Sequence, residues 1–323
     1  MHRRTLGAAT VALALGALPR PAAAQQWPSR PVRVVLPVPP GGGTDILARI
    51  VQPHLQERLG QPVLVENRAG GGMTIGTNIV AKAEPDGHTM LMIDTAIAVN
   101  PHLHRNLPYD TQRDLQPVVL AATAPVILVT APNFSPNSVP ELLAYARANP
   151  GRVNFASGGN GTSTHLSGEL LRHVGEIDIV HVPYQGTGPG VAALLGGHTQ
   201  MMFAGISSTR PHVEAGRLKA IAVTGEARSG SMPTVPTFAE AGLPQMDAET
   251  IWGFWLPAAT PAAIGERFAR ELTAVLAMPA VKQRVEELGF VPRGGTPAAY
   301  GARFEAELAK WGPIVRAAGV QAG

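Results

Sequence analysis

The sequence predicts an α/β protein of two facing units with a ligand cleft between them. Three observations carry that prediction. Short β-branched runs alternate with helix-like segments through most of the chain. Glycine-rich stretches sit where strands hand over to helices, and the tail beyond residue 260 turns almost wholly helical. The 323 residues suffice for two ordinary domains with sizeable cores. With 45% hydrophobic and 15% charged residues, the composition suits a globular chain rather than a disordered one. The 36 glycines and 30 prolines fall between apolar runs, so they mark turns rather than low complexity.

Taken in order, residues 1–24 read as an export signal cleaved near Ala24: His2-Arg3-Arg4, an apolar stretch over 6–18, then Ala22-Ala23-Ala24. They carry three arginines and no acidic residue, so their removal leaves 23 Lys+Arg against 23 Asp+Glu. The basicity of the full chain belongs to this leader, and nucleic acid is not an expected partner. Cysteine is absent. That removes disulfides, thiolate chemistry, Cys-based metal sites and a lipid anchor on cysteine, and it leaves a freely soluble exported protein as the expectation.

Strands are predicted over 31–38, 62–66 and 88–93, with helices over 45–59 and 75–83 between them. The middle repeats the theme, with strands at 126–130, 153–156, 177–182, 200–204 and 219–224 and a helix over 164–174. Ser138, Pro140 and Glu141 form a capping box with an early proline, opening a helix that ends near Asn149-Pro150. Such alternation predicts largely parallel sheets. In the tail, Thr260-Pro261 and Thr296-Pro297 each read as an N-cap followed by a first-turn proline. Helices follow over 264–278 and 280–288, and Gly289 takes a C-cap place. The tail packs back on the first unit, burying Trp252, Phe254 and Trp255. The expected domains are 25–125 with 226–323, and 126–225, hinged through 121–125 and 224–228.

The chemistry lies in the junctions. Pro39-Pro40-Gly41-Gly42-Gly43-Thr44-Asp45 joins the first strand to the first helix. Its glycines let backbone N–H groups crowd toward a ligand, and the helix start adds unpaired donors and a positive dipole end. A carboxylate fits there without Lys or Arg; a plain turn capped by Thr44 or Asp45 fits as well. Residues 67–72 (NRAGGG), 157–165 (SGGNGTSTH) and 186–190 (GTGPG) repeat the arrangement, giving two such loops in each unit. In open α/β sheets ligands collect at these carboxyl ends of strands. None of the loops has dinucleotide spacing, so no cofactor is expected.

The sequence lacks a serine elbow, an H-E-x-x-H pair and a phosphate loop, and no catalytic residue is expected. His102-Leu103-His104 has no third ligand nearby and reads as surface or packing histidines, so no metal is expected. His165 either orients its loop or meets the ligand. Tyr184, at a strand end, either packs in the core or points its hydroxyl at the ligand.

PVRVVLPVPPGGGTDILAR, VLVENRAGGGMTIG, AEPDGH, NPHL and LPYD resemble the tripartite tricarboxylate transporter substrate receptors, the TctC-like or Bug family. GGNGTSTHLSGEL, VPYQGTGPGVAALLGG, LKAIAVTGEARS and PTFAEAGL continue the likeness over nearly the whole mature chain. The resemblance implies a type II periplasmic binding fold, the Venus flytrap of two α/β domains. It also implies a monomer that holds a small organic carboxylate by backbone donors and ordered water for membrane permease subunits. Carried over by motif, the contacts are Gly41, Gly42, Gly43, Thr44, Asp45, Asn67, Met73, Thr95, Ser157, Asn160, Thr162, Thr164, His165 and Tyr184. Where relatives with amino-dicarboxylate ligands place an Asp, this chain has Ala204. That departure points to a di- or tricarboxylate or an aromatic acid without an amino group. A sensory module and a secreted enzyme acting on a small acid are the rival readings.

Overall fold

The computed structural model describes residues 27–184 and 186–319, so the export signal expected over 1–24 lies outside the described residues. The first stretch runs β1 (Val32–Leu36), α1 (Gly43–Leu59), β2 (Val63–Asn67), α2 (Thr74–Ala81), β3 (Thr89–Ile93), α3 (Ala96–Leu103), a single turn α4 (Thr111–Asp114) and β4 (Leu115–Ala124). The middle runs β5 (Val126–Thr130), α5 (Val139–Ala148), β6 (Val153–Ser157), α6 (Ser163–Val174), β7 (Ile179–Pro183), α7 (Thr187–Leu195), β8 (Met201–Gly205), α8 (Ile206–Glu214) and β9 (Lys219–Val223). The chain ends with β10 (Thr250–Pro257), α9 (Ala262–Leu276), α10 (Pro279–Glu287), β11 (Val291–Pro292) and α11 (Pro297–Ala318).

Two sheets result, ordered β11-β4-β10-β3-β1-β2 and β7-β6-β8-β5-β9. Both are mixed, where alternation alone predicts largely parallel sheets. The parallel parts, β3-β1-β2 and β7-β6-β8, are joined through helices as βα repeats. β5 arrives straight from β4 with no crossover helix, and it runs against both β8 and β9. β4 and β10 pair antiparallel along their length and were not predicted as strands. Pro117 inside one and Gly253 inside the other break the strand signal, and bulges in the pairing absorb both.

Pro125 alone separates β4 from β5, within the expected first crossing. The return differs from the expectation at 224–228. Thr224 exchanges hydrogen bonds with Val126 (both 2.9 Å), Phe238 N–H bonds Val223 carbonyl, and Phe238 stacks on Phe203 of β8. These residues stay with the five-stranded sheet because Val235, Phe238 and Leu243 supply its missing apolar cover. The chain rejoins the other sheet only at Thr250, opposite Ala124.

The face of β1 that shows Val34 and Leu36 packs under α1, α9 and α10, while Val35 on the other face joins the core beneath α3 and α11. α11 touches α3 and β4, and also α6 of the other sheet. Trp255 meets Tyr300 and Phe304 of α11, Phe254 meets Phe268 of α9, and Trp252 meets Phe290, so the aromatic cluster is buried against the tail. Thr296 caps α11 through Ala299 N–H (3.2 Å), and Ser138 caps α5 through Glu141 N–H (3.3 Å). Thr260 does not cap α9. Pro261 takes that place, and the Thr260 hydroxyl is buried without a protein partner.

A side chain at Gly253 has no room: a methyl there would lie 2.2 Å from the buried Tyr300 ring and hydroxyl, which Trp255 Nε1 holds at 2.9 Å. Gly253→Ala is expected to cost about 1–3 kcal/mol, read as a lower urea midpoint at unchanged slope.

Candidate functional site

A cleft of about 520 Å³ lies between the sheets, backed by Ala124, Pro125 and Val126 at the crossing. Its wall is assembled from residues just beyond the ends of six strands: Gly43 after β1, Gly72 and Met73 after β2, Asp94 to Ala96 after β3, Gly158 and Asn160 to Thr164 after β6, Gly186 and Thr187 after β7, and Gly205 to Ser207 at the end of β8. Five of these places are the first turns of α1, α3, α6, α7 and α8, whose leading N–H groups have no partner within the helix. Val99, Leu103, Leu166, Ile206, Trp252 and Phe290 supply an apolar complement. Among the described residues no Lys, Arg or His lines the cleft, and Asp94 is its only ionisable side chain.

Of the residues singled out from sequence, Gly43, Met73, Thr95, Asn160, Thr162 and Thr164 line this wall. Gly41, Gly42, Thr44, Asp45, Asn67, Ser157, His165, Tyr184 and Ala204 do not, and the reason differs from one to the next. Asp45 faces back into its own loop: Gly41 N–H, Arg49 Nε and Asn67 Nδ2 all donate to its carboxylate at 3.0 Å. The Arg49 hydrogen bond is the largest cause holding its pKa at about 2. Asn67 also donates to Val38 carbonyl and accepts from Arg49, so Asp45 and Asn67 clamp the loop that carries Gly41 and Gly42. Thr44 is spent on Trp252, whose Nε1 donates to its hydroxyl at 3.0 Å. Met73 sits at φ 75°, a conformation unusual for a side chain of its size, and Asn100 Nδ2 braces that turn through Gly72 carbonyl (2.9 Å).

The second glycine loop is braced from below in the same way. Ser157 Oγ accepts from Gly159 N–H (3.0 Å), Thr164 Oγ1 from Gly158 N–H (2.9 Å), and His165 Nδ1 from Gly161 N–H (3.0 Å). His165 therefore orients the loop. Its ring stacks on His181 with centroids 3.7 Å apart, and His181 Nε2 lies 2.6 Å from Ser157 Oγ. Burial, reinforced by the neighbouring His165, pushes the His181 pKa down to about 4. This Ser–His contact is not a nucleophile and base, because Ser157 is fully buried and does not reach the cleft. Tyr184 is half-buried against the core. Ala204 is fully buried in β8 opposite Ile127, so its side chain does not face ligand space; Gly205 begins the wall there.

Asp94, Asn100, Ser207 and Phe290 also line the cleft and were not named as contacts from sequence, while Ser163 and Thr187 line it from within the glycine loops read there and Trp252, expected as core, adds to the wall. The end of the strand over 88–93 was the available signal for Asp94. Nothing local announces Phe290, which arrives from the tail. His102 Nε2 lies 3.0 Å from Leu308 carbonyl, a packing role, and no group of three metal-binding side chains occurs among the described residues.

Residues 47–320 match the family model described as tripartite tricarboxylate transporter family receptor. The chain is 40% identical over 290 residues to a protein of the tcbD-tcbE intergenic region of a Pseudomonas species, covering 90% of this chain and 86% of that one. Among solved structures, an R. palustris protein with adipate is similar at 31% identity and TM-score 0.78, covering 91% and 99%. MatC from Rhodopseudomonas palustris with bound malate is similar at 31% identity and TM-score 0.73, covering 90% and 100%. The fold is thus that of the periplasmic solute-binding receptors.

Asp45 is depressed on folding, so its stabilisation is present above about pH 4 and is lost as pH falls toward 2. Asp45→Ala is expected to lower stability by about 1–3 kcal/mol at pH 7. In urea unfolding between pH 7 and 2.5, the gap between variant and wild type should hold down to about pH 4 and narrow progressively below it.

Proposed function

The chain belongs to the tripartite tricarboxylate transporter receptor family, and on that premise we propose that it captures a small organic carboxylate in the periplasm and presents it to the permease subunits of such a transporter. One observation carries the ligand class: the cleft wall is built from helix first turns and contains no cationic side chain among the described residues. Unpaired N–H groups at the positive ends of helices attract a compact anion, and rigidly braced loops hold them in place before it arrives. Relatives solved with adipate and malate support the same class. Residues 1–24 serve as the export signal in this reading. The ligand contacts proposed are Gly43, Met73, Thr95, Asn160, Thr162 and Thr164.

The two sheets act as lobes that close on the acid, bending at Pro125 and at 247–249. Gly161 of one lobe already lies against Leu103 of the other: a methyl on it would stand 2.7 Å from the Leu103 side chain, and its φ of 76° favours glycine.

Thermal unfolding of the mature protein against di- and tricarboxylates, aromatic acids and their neutral amides tests the reading. A binding acid at a hundredfold excess over Kd adds about 2.7 kcal/mol of stability, and its amide adds none. Gly161→Ala should weaken that shift at least tenfold in apparent Kd. Equal shifts with acid and amide would overturn the proposal.

A further inference from the structure

A cleft suited to anions holds a carboxyl group of its own. Asp94 lies between β3 and α3, on the cleft wall. One carboxylate oxygen, Oδ1, accepts Ala96 N–H at 2.9 Å, which fixes the side chain at the start of α3. The other oxygen has no donor among the described residues. Next door, Thr95 Oγ1 is already taken by Ile251 N–H at 3.0 Å.

No counter-charge stands near it. The lining contributed by β10 and by the starts of α1, α6, α7 and α8 carries no ionisable side chain among the described residues. From α11 comes Tyr300, whose hydroxyl accepts from Trp255 and whose ionisation burial and Asp94 both push up. Behind Tyr300 lies Glu307, tied to Arg303 and Lys310 at 2.9 Å each. On α3 itself, His102 at the far end faces Leu308. An acid entering this cleft thus brings a second negative group beside a carboxylate that lacks a cation.

Resting on the carboxylate reading above, we infer that Asp94 is a ligand-binding residue that enters the complex protonated and donates its proton to a carboxylate oxygen of the bound acid. The proton comes from bulk water and returns there on release; Asp94 O–H is the bond that forms and breaks. Two carboxyl groups at hydrogen-bond distance cannot both stay ionised in a dry site, whereas one shared proton makes a short, charge-assisted bond. Burial already holds the free Asp94 at about 6, against the pull of the Ala96 N–H. The approach of a second anion raises it further.

Above pH 6 the free protein has lost the proton that the complex needs. Affinity for an acid that is itself fully ionised therefore falls as pH rises, by up to about tenfold per unit. The fall stops once pH passes the pKa of the complex.

Isothermal titration of the mature protein at pH 6.5, 7.5 and 8.5, in phosphate and in Tris, measures both affinity and proton uptake. The titrants are malate, adipate and whichever other acid of the thermal panel binds. Uptake of nearly one proton per acid at pH 7.5, with Kd rising across the series, is expected. Asp94→Asn keeps an oxygen for Ala96 N–H and presents N–H groups to the acid. It should take up no proton, show a flat pH profile and bind at pH 8.5 at least about tenfold tighter than wild type. Its melting temperature without acid checks the fold. Binding by wild type without proton uptake overturns this inference and leaves the carboxylate reading standing. So does a variant that loses tenfold or more, because an amide that donates N–H to a fully ionised acid should strengthen its binding at high pH. Failure of every acid at every pH overturns both readings.

Discussion

Backbone N–H groups left over at the starts of helices are the constraint around which this molecule is arranged. A helix cannot satisfy its first amides internally, and five helices begin at one cleft. The polar side chains nearby are mostly turned away from that space. Asp45, Ser157 and His165 accept backbone N–H groups inside their own loops, and Asn67 donates to Val38 carbonyl and to Asp45, so the loops are held still around the cleft. Rigid amides recognise a negative group without reading what lies beyond it. Discrimination then falls to the apolar side of the wall, where Trp252 and Phe290 stand together at 5.0 Å, and to the lone carboxyl of Asp94.

The return crossing is fixed by charge rather than by packing alone. Glu307 is buried in α11, bonded to Arg303, Lys310 and Trp311 Nε1. Lys310 also donates to Asp247 carbonyl at 2.9 Å. Glu249, whose ionisation burial pushes up, faces Arg293 at 3.6 Å. Removing one partner from such a cluster leaves an uncompensated buried charge, so its members depend on one another. The C-terminal helix in this way braces the place where the chain passes from one sheet to the other.

Much of the fold was legible in sequence because its βα repeats are local. The strand at Val126–Thr130 and the caps at Ser138 and Thr296 match their predicted places, since each is announced by neighbours within a few residues. β4 and β10 were not legible. Their partners lie far away in sequence, and Pro117 and Gly253 are tolerated only because bulges re-align the pairing. The glycine loops were legible as a class, but the direction of each side chain was not: Asp45 and Asn67 look like ligand contacts by position and are braces in space. Ala204 misled for the period-two reason, lying one residue before the wall at Gly205 and pointing into the core.

The pairing of Ala124 with Thr250 bears on the order of assembly. The whole inserted stretch lies between these two residues, so β10 cannot take its place between β3 and β4 until that stretch has brought its ends together. Closing such a loop in an unfolded chain is entropically costly and slow. A folded five-stranded sheet lowers the cost, since Val126 and Thr224 are already bonded to each other where β5 begins and β9 ends. A folded middle of the chain therefore acts as a staple, shortening the loop that β10 has to close to complete the six-stranded sheet.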